Sequence, residues 1–401
     1  MGQTGRERLD LARTLDHKLP VFGNESISMD VDFLIIGAGI AGAGMAYRLA
    51  PKGSVAVLDM EAQAGYHTTG RSAAFYAETY GGPKLQPLTT ASKGFFRAPP
   101  EGFSEAPLQG PLGAIHIFRE DQREEADAAL AEMSVLPGVR VLPAEEVLRR
   151  APYLKPDMLT AGIDDPDCAN LDVAALHQGY LKGAKAHGAQ VLLESGLESA
   201  VYEGGRWQVK TRTGALTARV LINTAGAWAD QVAERAGVKP LGVTPLRRTI
   251  VTFKNPQGLP FDRHGPVIID VGEAFYFKPE GEGYMVSPAD ETPSVPTDAQ
   301  PELEDIAVAV DHFERVTGAT VEKLEAKWAG LRTFAPDRAP VIGFDADQPA
   351  FFWSVGQGGY GIQTSPAWSA LAATLVLGED LPEELKAHGV RPELYSPARF
   401  R

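Results

Sequence analysis

An α/β fold in two interleaved parts, one built on a βαβ unit and the other, α+β, on an antiparallel sheet, follows from three observations in this 401-residue chain. The first is VDFLIIGAGIAGAGMAYRLA from Val31, which begins as an unbroken apolar run, turns on glycines and continues as an Ala-rich helix; SVAVLD, Ser54 to Asp59, is the next strand. The second is the return of strand, glycine turn and helix in ARVLINTAGAW (Ala218 to Trp228) and again in AFFWSVGQGGYGIQTSPAWSALAATLVLG (Ala350 to Gly378). The third is a change between Pro240 and Lys327 to short β segments, TIVTF, PVIID, AFYFK and GYMVS, with one helix near Glu302 to Arg315.

The remaining elements are read in order. Residues 60–100 are rich in Gly, Thr and Ser and predict short helical pieces, closed by PPEG at Pro99 to Gly102. AIHIF after Gly113 predicts a strand, Asp121 to Met133 an acidic helix, and Leu171 to His187 a second helix. QVLLES (Gln190 to Ser195) and RWQVKT (Arg206 to Thr211) predict strands. Because the first pattern lies on both sides of the second, each domain is assembled from separated segments. We expect 29–100, 145–238 and 328–401 in the first domain and 101–144 and 239–327 in the second, after an extension at 1–28.

Composition narrows the function. Hydrophobic residues at 44% and charged residues at 22% are ordinary globular usage and exclude a disordered chain or coiled coil. Lys plus Arg number 38 against 52 Asp plus Glu, a formal charge of −14 whose field repels phosphate backbones, so no nucleic-acid partner is expected. Cys168 is the single cysteine, which excludes an internal disulfide and a cysteine-rich metal site; no CxxC or HExxH occurs and no metal is expected. No run of about 18 apolar residues exists, so no transmembrane helix is expected. The first 28 residues are charged throughout and lack a signal-type apolar core, which predicts a cytoplasmic protein. Met29, just before the first strand, offers an alternative start, and Asn24-Glu25-Ser26 is a glycosylation sequon by spelling alone. Without heptads or a long exposed apolar run, a monomer is expected.

Gly37-Ala38-Gly39-Ile40-Ala41-Gly42 spells GxGxxG directly after a strand and opening a helix, with Asp59 ending the next strand. This is the dinucleotide fingerprint: Gly37 for the tight turn, Gly39 for backbone approach to the pyrophosphate, Gly42 for close packing of helix on strand, and Asp59 for the ribose hydroxyls. The helix N-terminus attracts phosphate. Nicotinamide and flavin dinucleotides share the pattern, so the fingerprint leaves the choice open. A second glycine-rich turn, Gly356 to Gln363, opens another long helix and is a natural anion site.

The segment from Asp59 through GYHTTGRSAA (Gly65 to Ala74) resembles the flavin-contacting loop of the D-amino acid oxidase superfamily. The similarity runs from Met29 onward and is nearest to the bacterial FAD-dependent D-arginine dehydrogenase branch, through LDVAALHQGYLKG at Leu171, NTAGAWAD at Asn223, PLRRT at Pro245, FYFKPEG at Phe275, WAGLRTF at Trp328 and GQGGYGIQTS at Gly356. The resemblance implies a Rossmann-type FAD-binding domain interleaved with the antiparallel-sheet domain, and noncovalent FAD, with His67 at the place where dimethylglycine dehydrogenase relatives attach it covalently. It implies cofactor contacts at Gly37, Gly39, Ile40, Ala41, Gly42, Asp59, Met60, Thr68, Thr69, Arg71, Ser72, Ala73, Leu197, Ala225, Gly226, Trp228, Gly330, Gly358, Gly359, Tyr360, Gly361, Ile362 and Gln363. The turn at Gly356 to Gln363 would face the flavin N1/C2 carbonyl edge.

By the same resemblance Tyr80, Arg248, Tyr276, Arg332 and Gln363 form the catalytic set. Arg332 and Arg248 bind the substrate carboxylate, for which the guanidinium fork is suited, and Tyr80 and Tyr276 close over the amine. Arg247, next to Arg248, should point away by strand alternation. The pattern breaks at the pocket, where Phe75, Ala77 and Ala114 stand in place of a histidine, a threonine and a glutamate. With Gly359 they imply an apolar side-chain pocket, and His116, on the same strand face as Ala114, is a candidate polar contact. Met285 aligns where oxidase relatives carry a lysine, which favours a dehydrogenase. The implied activity is oxidative deamination of a D-amino acid to the imino acid and 2-oxo acid by hydride transfer to flavin N5, with an acceptor such as a quinone. Two alternatives stand beside it: oxidation of N-methylated or cyclic amino acids, and a noncatalytic flavin-binding electron-transfer subunit.

Overall fold

The computed structural model describes residues 29–401. The extension at 1–28, with its leader and sequon readings, lies outside the described residues. Strand β1 (Met29–Ile36) sits between β2 (Val55–Leu58) and Gly214–Asn223, parallel to both. Gln190–Leu192 extends the sheet beyond β2, while Phe351–Val355 pairs parallel with the end of Gly214–Asn223. Alternate residues of β1 enter different cores. Leu34 and Ile36 pack with Trp207, Val232 and Trp353 on one face, and Phe33 and Ile35 pack with α1 (Ile40–Leu49) and the long helix Gly361–Leu377 on the other. Burial on both faces is why this strand reads as a continuous apolar run.

Among the described residues the second sheet has nine strands. Its spine is Thr244–Lys254, paired antiparallel with Ala326–Phe334 on one side and with Gly283–Ser287 on the other. The amphipathic helix Leu303–Thr317 covers the far face through Ile306, Ala309, Phe313 and Val316. The structure is thus the mixed α/β fold read from the sequence, with particulars that differ. Ala114–Phe118 and Val267–Asp270 pair parallel within the otherwise antiparallel sheet. Ala161–Asp165 pairs in this second sheet although it follows the expected break at 145, and the expected break at 328 cuts through the strand Ala326–Phe334; ladder pairing across the chain, invisible to local pattern, recruits both. Residues 82–97 form one 16-residue helix, Gly82–Arg97, instead of short pieces, with Pro87 inside it. No helix among the described residues is long and apolar enough to cross a membrane, and none of their His, Cys, Asp and Glu side chains cluster as a metal site.

His116 lies in the middle of Ala114–Phe118 and is buried, with Nε2 lacking a partner among the described residues. Burial pushes its pKa down to about 4 from an ordinary 6.5. The folded state therefore binds this proton less well than the unfolded chain, and its stabilisation is complete above pH 6.5 and lost as pH falls toward 4. His116→Leu is expected to flatten the decline of Tm between pH 6.5 and 4, as read by calorimetry. An unchanged slope would remove His116 from the acid transition.

Candidate active site

The site starts where β1 turns into α1. Gly37 has φ +105°, a conformation that favours glycine, and its N–H donates to Leu58 O at 2.8 Å. A Cβ on Gly42 would lie 1.9 Å from Gly37 O, so the helix approaches the turn as closely as a residue without a side chain allows. Thr224 Oγ1 donates within reach of both Ile36 O (2.8 Å) and Gly37 O (2.9 Å), tying the next strand's end to this turn. Asp59 closes the other side, accepting from Ala38 N (2.7 Å) and Glu61 N (2.9 Å). A carboxylate has about four acceptor positions, so capacity for a hydroxyl remains.

Two residues deserve reassignment of their immediate task. Thr69 Oγ1 accepts from Ile40 N at 3.0 Å and so caps α1 in place of an N-cap side chain, which Gly39 lacks. Arg71 spends its guanidinium on Ala299 O (2.9 Å), Ala329 O (3.1 Å) and the Asp298 carboxylate. Sequence reasoning missed His177, on helix Val173–Ala186, whose Nε2 lies 2.8 Å from Ala38 O beneath the fingerprint turn. Burial lowers its pKa, against the opposing pull of the Ala38 carbonyl and Asp59. Its helical spacing signals only a core position, so no local feature could have disclosed this contact.

A cavity of about 310 Å³ opens between the end of the first sheet and the near face of the second. It is lined by the expected Gly37, Gly39, Ile40, Ala41, Asp59, Met60, Thr68, Thr69, Arg71, Ser72, Ala73, Leu197, Ala225, Gly226, Trp228, Gly330, Gly358, Gly359, Gly361 and Ile362, together with Arg248, Tyr276 and Arg332. Thr224, Gln231, Arg235, Leu331 and Gln357 also line it and were not anticipated. Gly42, Phe75, Ala77, Tyr80, Ala114, Tyr360 and Gln363 are outside the lining. Gln363 stands behind it, with Oε1 accepting from Ala77 N (3.1 Å) and Nε2 donating to Thr89 Oγ1 (3.2 Å), so it braces the wall. Ala77, Ala114, Cys168, Val267 and Met285 form one closed apolar cluster with Tyr276 and Ile250, against which Phe75 packs. His116 is likewise away from the cavity.

Strand register places Arg248 opposite Gly330 and Leu246 opposite Arg332, so the two arginines rise from one face of neighbouring strands. Arg247 turns to the other face, onto Asp305 (2.9 Å) and Glu302, as alternation requires. Arg332 Nη1 donates to Tyr80 Oη at 2.7 Å, and among the described residues no carboxylate pairs with it. Desolvation works against its charge, but the phenols of Tyr80, Tyr276 and Tyr360 and the Tyr80 bond outweigh it and hold its pKa above the ordinary arginine value. It is a permanent, recessed cation. A Cβ on Gly359 would sit 2.8 Å from both Arg332 Nη1 and Tyr80 Oη, so a side chain there would require one of these side-chain ends to move. The arrangement is a dinucleotide cradle of glycine backbone and helix N-terminus leading to a pocket with two guanidinium groups, phenols and an apolar wall. Two guanidinium forks facing one cavity are chemically suited to a planar anion.

The cradle's chemistry agrees with comparisons to known proteins. A model of the DAO family, FAD dependent oxidoreductase, matches residues 32–375. The chain is 25% identical over 362 residues to a glycine oxidase of Bacillus licheniformis, covering 88% of this chain and 95% of that protein. Its fold is similar to that of L-proline dehydrogenase from P. horikoshii, with TM-score 0.78, 19% identity, and 93% of this chain and 98% of that chain covered. It is also similar to iminodiacetate oxidase from Chelativorans sp. BNC1, with TM-score 0.76, 22% identity, and coverage of 91% and 98%. A steric prediction follows from Gly359. Gly359→Ala should displace the Arg332 guanidinium and weaken binding of a small carboxylate such as propionate on the order of tenfold or more, measured by titration calorimetry. Wild-type affinity would mean that Arg332 does not define the anion position.

Proposed function

The chain belongs to the DAO family of FAD-dependent oxidoreductases, and from that premise we propose that it oxidises a D-amino acid with an apolar side chain to the imino acid, which water converts to the 2-oxo acid and ammonia. The observation that carries this reading is Arg332, a recessed guanidinium without a carboxylate partner among the described residues, lining a cavity together with Arg248 and Tyr276. A buried charge left unpaired is costly, so an anionic ligand is the natural complement. FAD fits the cradle: α1 presents its N-terminus beside Gly39, where any Cβ would crowd Thr69, and Asp59 stands at the end of β2. Bound FAD supplies the hydride acceptor at N5. Arg332 and Arg248 would hold the carboxylate and so aim Cα, while Tyr276 would order the amine and Tyr80 would set the direction of the Arg332 guanidinium. The amine has to be neutral to release hydride, so flavin reduction should rise with pH as the substrate ammonium deprotonates.

Several further assignments belong to the same reading. The first sheet and its helices would carry the cofactor and the second sheet the substrate. FAD would be bound without a covalent link, His67 being engaged with Glu61 at 2.9 Å and packed on Trp228 at 4.5 Å between ring centroids. A dehydrogenase passing electrons to a quinone-type acceptor is favoured over an oxidase, because Met285 is buried in the apolar cluster and Lys278 is held by Asn170 (2.8 Å) and Glu280 (3.0 Å). A monomeric, cytoplasmic enzyme is part of the proposal. One observation favours a second reading, oxidation of a small N-methylated or cyclic amino acid: Ala77 and Ala114 are sealed in the wall, which leaves less room for a long side chain.

Anaerobic stopped-flow reduction separates these readings. D-leucine, D-methionine or D-phenylalanine should bleach the flavin faster than D-arginine, with L-enantiomers nearly inert. Reduction by N-methyl amino acids or proline alone would replace the first reading with the second, and no reduction by any amino acid would leave only a flavin carrier. Arg332→Met should retain FAD while slowing reduction and weakening binding by on the order of 10²-fold, the scale of a lost charge-assisted clamp. An unchanged reductive half-reaction would discard its role. Gly39→Val should abolish FAD retention, measured as flavin per chain after gel filtration; normal content would refute the fingerprint's role.

A further inference from the structure

Arg248 is held differently from Arg332. Its Nε donates to Asp290 O at 2.8 Å, which sets the direction of the guanidinium, and Nη2 lies 3.5 Å from Glu291 Oε1, at the outer limit of a hydrogen bond. The backbone around Glu291 is firmly placed. Asp290 Oδ1 and Oδ2 take Thr249 N (2.6 Å) and Thr249 Oγ1 (3.0 Å), and Thr292 pairs with Arg247 in the sheet. The Glu291 carboxylate has a better partner on the other side: Arg338 Nη2, at 2.9 Å. Arg338 has φ +60° and its guanidinium lies 3.9 Å from the centroid of the Phe334 ring, so it is tethered as well. One carboxylate is thus shared unequally between a cavity arginine and an arginine at the surface. The Arg248 side chain is 11% exposed, against 36% for Glu291 and 51% for Arg338.

We propose that Glu291 is a positioning residue that sets how strongly Arg248 attracts the substrate carboxylate, and that Arg338 limits how far Glu291 leans toward it. The inference rests on the carboxylate-binding reading of the cavity given above. With Nε taken by Asp290 O, a carboxylate entering the cavity is held end-on by Nη1 and Nη2 and competes with Glu291 for Nη2, since each terminal nitrogen of the fork donates to one oxygen in a bidentate pair. Arg338, by drawing Glu291 outward, leaves Arg248 nearly free for that competition. Without Arg338 the Glu291 carboxylate would pair fully with Arg248 and mimic a bound ligand; without the Glu291 charge, Arg248 would face the cavity uncompensated. The two neighbours of one ion-pair chain therefore have opposite effects on the same site.

The test is carboxylate affinity in FAD-loaded protein, with propionate as the probe by titration calorimetry and amino acid turnover as the second readout. Glu291→Gln should lower the Kd for propionate, and the substrate KM, by about two- to fivefold, the scale of a partly exposed ion pair, with the limiting rate of flavin reduction little changed. Arg338→Met should raise both by a similar factor, Arg338→Lys should restore the wild-type values, and the double variant should behave as Glu291→Gln. Both shifts should shrink at high salt, because Glu291 and Arg338 are exposed to screening. Shifts of the same sign in Glu291→Gln and Arg338→Met, as general loosening of the segment would produce, overturn the proposal. So does an unchanged Kd in Glu291→Gln when Arg332→Met raises it. An unchanged Kd in Arg332→Met as well would overturn the carboxylate reading of the cavity, and this coupling with it.

Discussion

The contact between Gly42 and the Gly37 carbonyl is the constraint on which the rest of the molecule depends. With no side chain between them, α1 starts directly against the end of β1, and its first residues, Ile40 and Ala41, line the cavity. Thr224, reaching Ile36 O and Gly37 O from the adjacent strand, and Asp59, reaching Ala38 N from β2, lock three strand ends around that turn. His177 supports it from below. The hydrogen bonds all end on the backbone of three consecutive residues, Ile36, Gly37 and Ala38, so the turn that receives α1 is held from three directions.

The second sheet contributes what the turn lacks, namely fixed positive charge and an apolar wall. Its long pairing of Thr244–Lys254 with Ala326–Phe334 sends Arg248, Gly330 and Arg332 to one face and Arg247 to the other. Two chemically identical neighbours therefore have separate tasks: Arg247 is neutralised by Glu302 and Asp305, and Arg248 keeps most of its hydrogen-bonding capacity. Arg332 is set by a different logic. Its guanidinium meets Tyr80 beside the bare backbone of Gly359, so the glycine loop that begins the long helix also borders the cavity wall of the opposite sheet.

The Rossmann-type strand, turn and helix were legible in the sequence because their determinants are local. Glycines at fixed spacing, an apolar strand and an acidic residue at the end of the next strand follow one another within 29 residues, from Val31 to Asp59. The resemblance to known flavoproteins extended that reading to most of the cavity lining. It failed where a residue's partner is remote: Gln363 is a wall brace for Ala77 and Thr89, and Ala114 is sealed among Val267, Cys168 and Met285 instead of facing open space. Segment boundaries failed for the same reason, since Ala161–Asp165 becomes part of the second sheet only by pairing with Ala114–Phe118 and Arg140–Pro143.

By itself the sequence determined an α/β protein with a dinucleotide cradle, because backbone conformation at glycines and alternation along strands are properties of neighbouring residues; the place among FAD-dependent oxidoreductases came from the resemblance of longer segments to known flavoproteins. Only the tertiary structure decided which arginine is neutralised, which keeps an open guanidinium, and which alanines line space or fill it. Charge pairing and cavity volume are set by atoms brought together from distant segments, as when Asp290 and Glu291 meet Arg248 or Tyr80 meets Arg332. No local pattern of residue types encodes those distances.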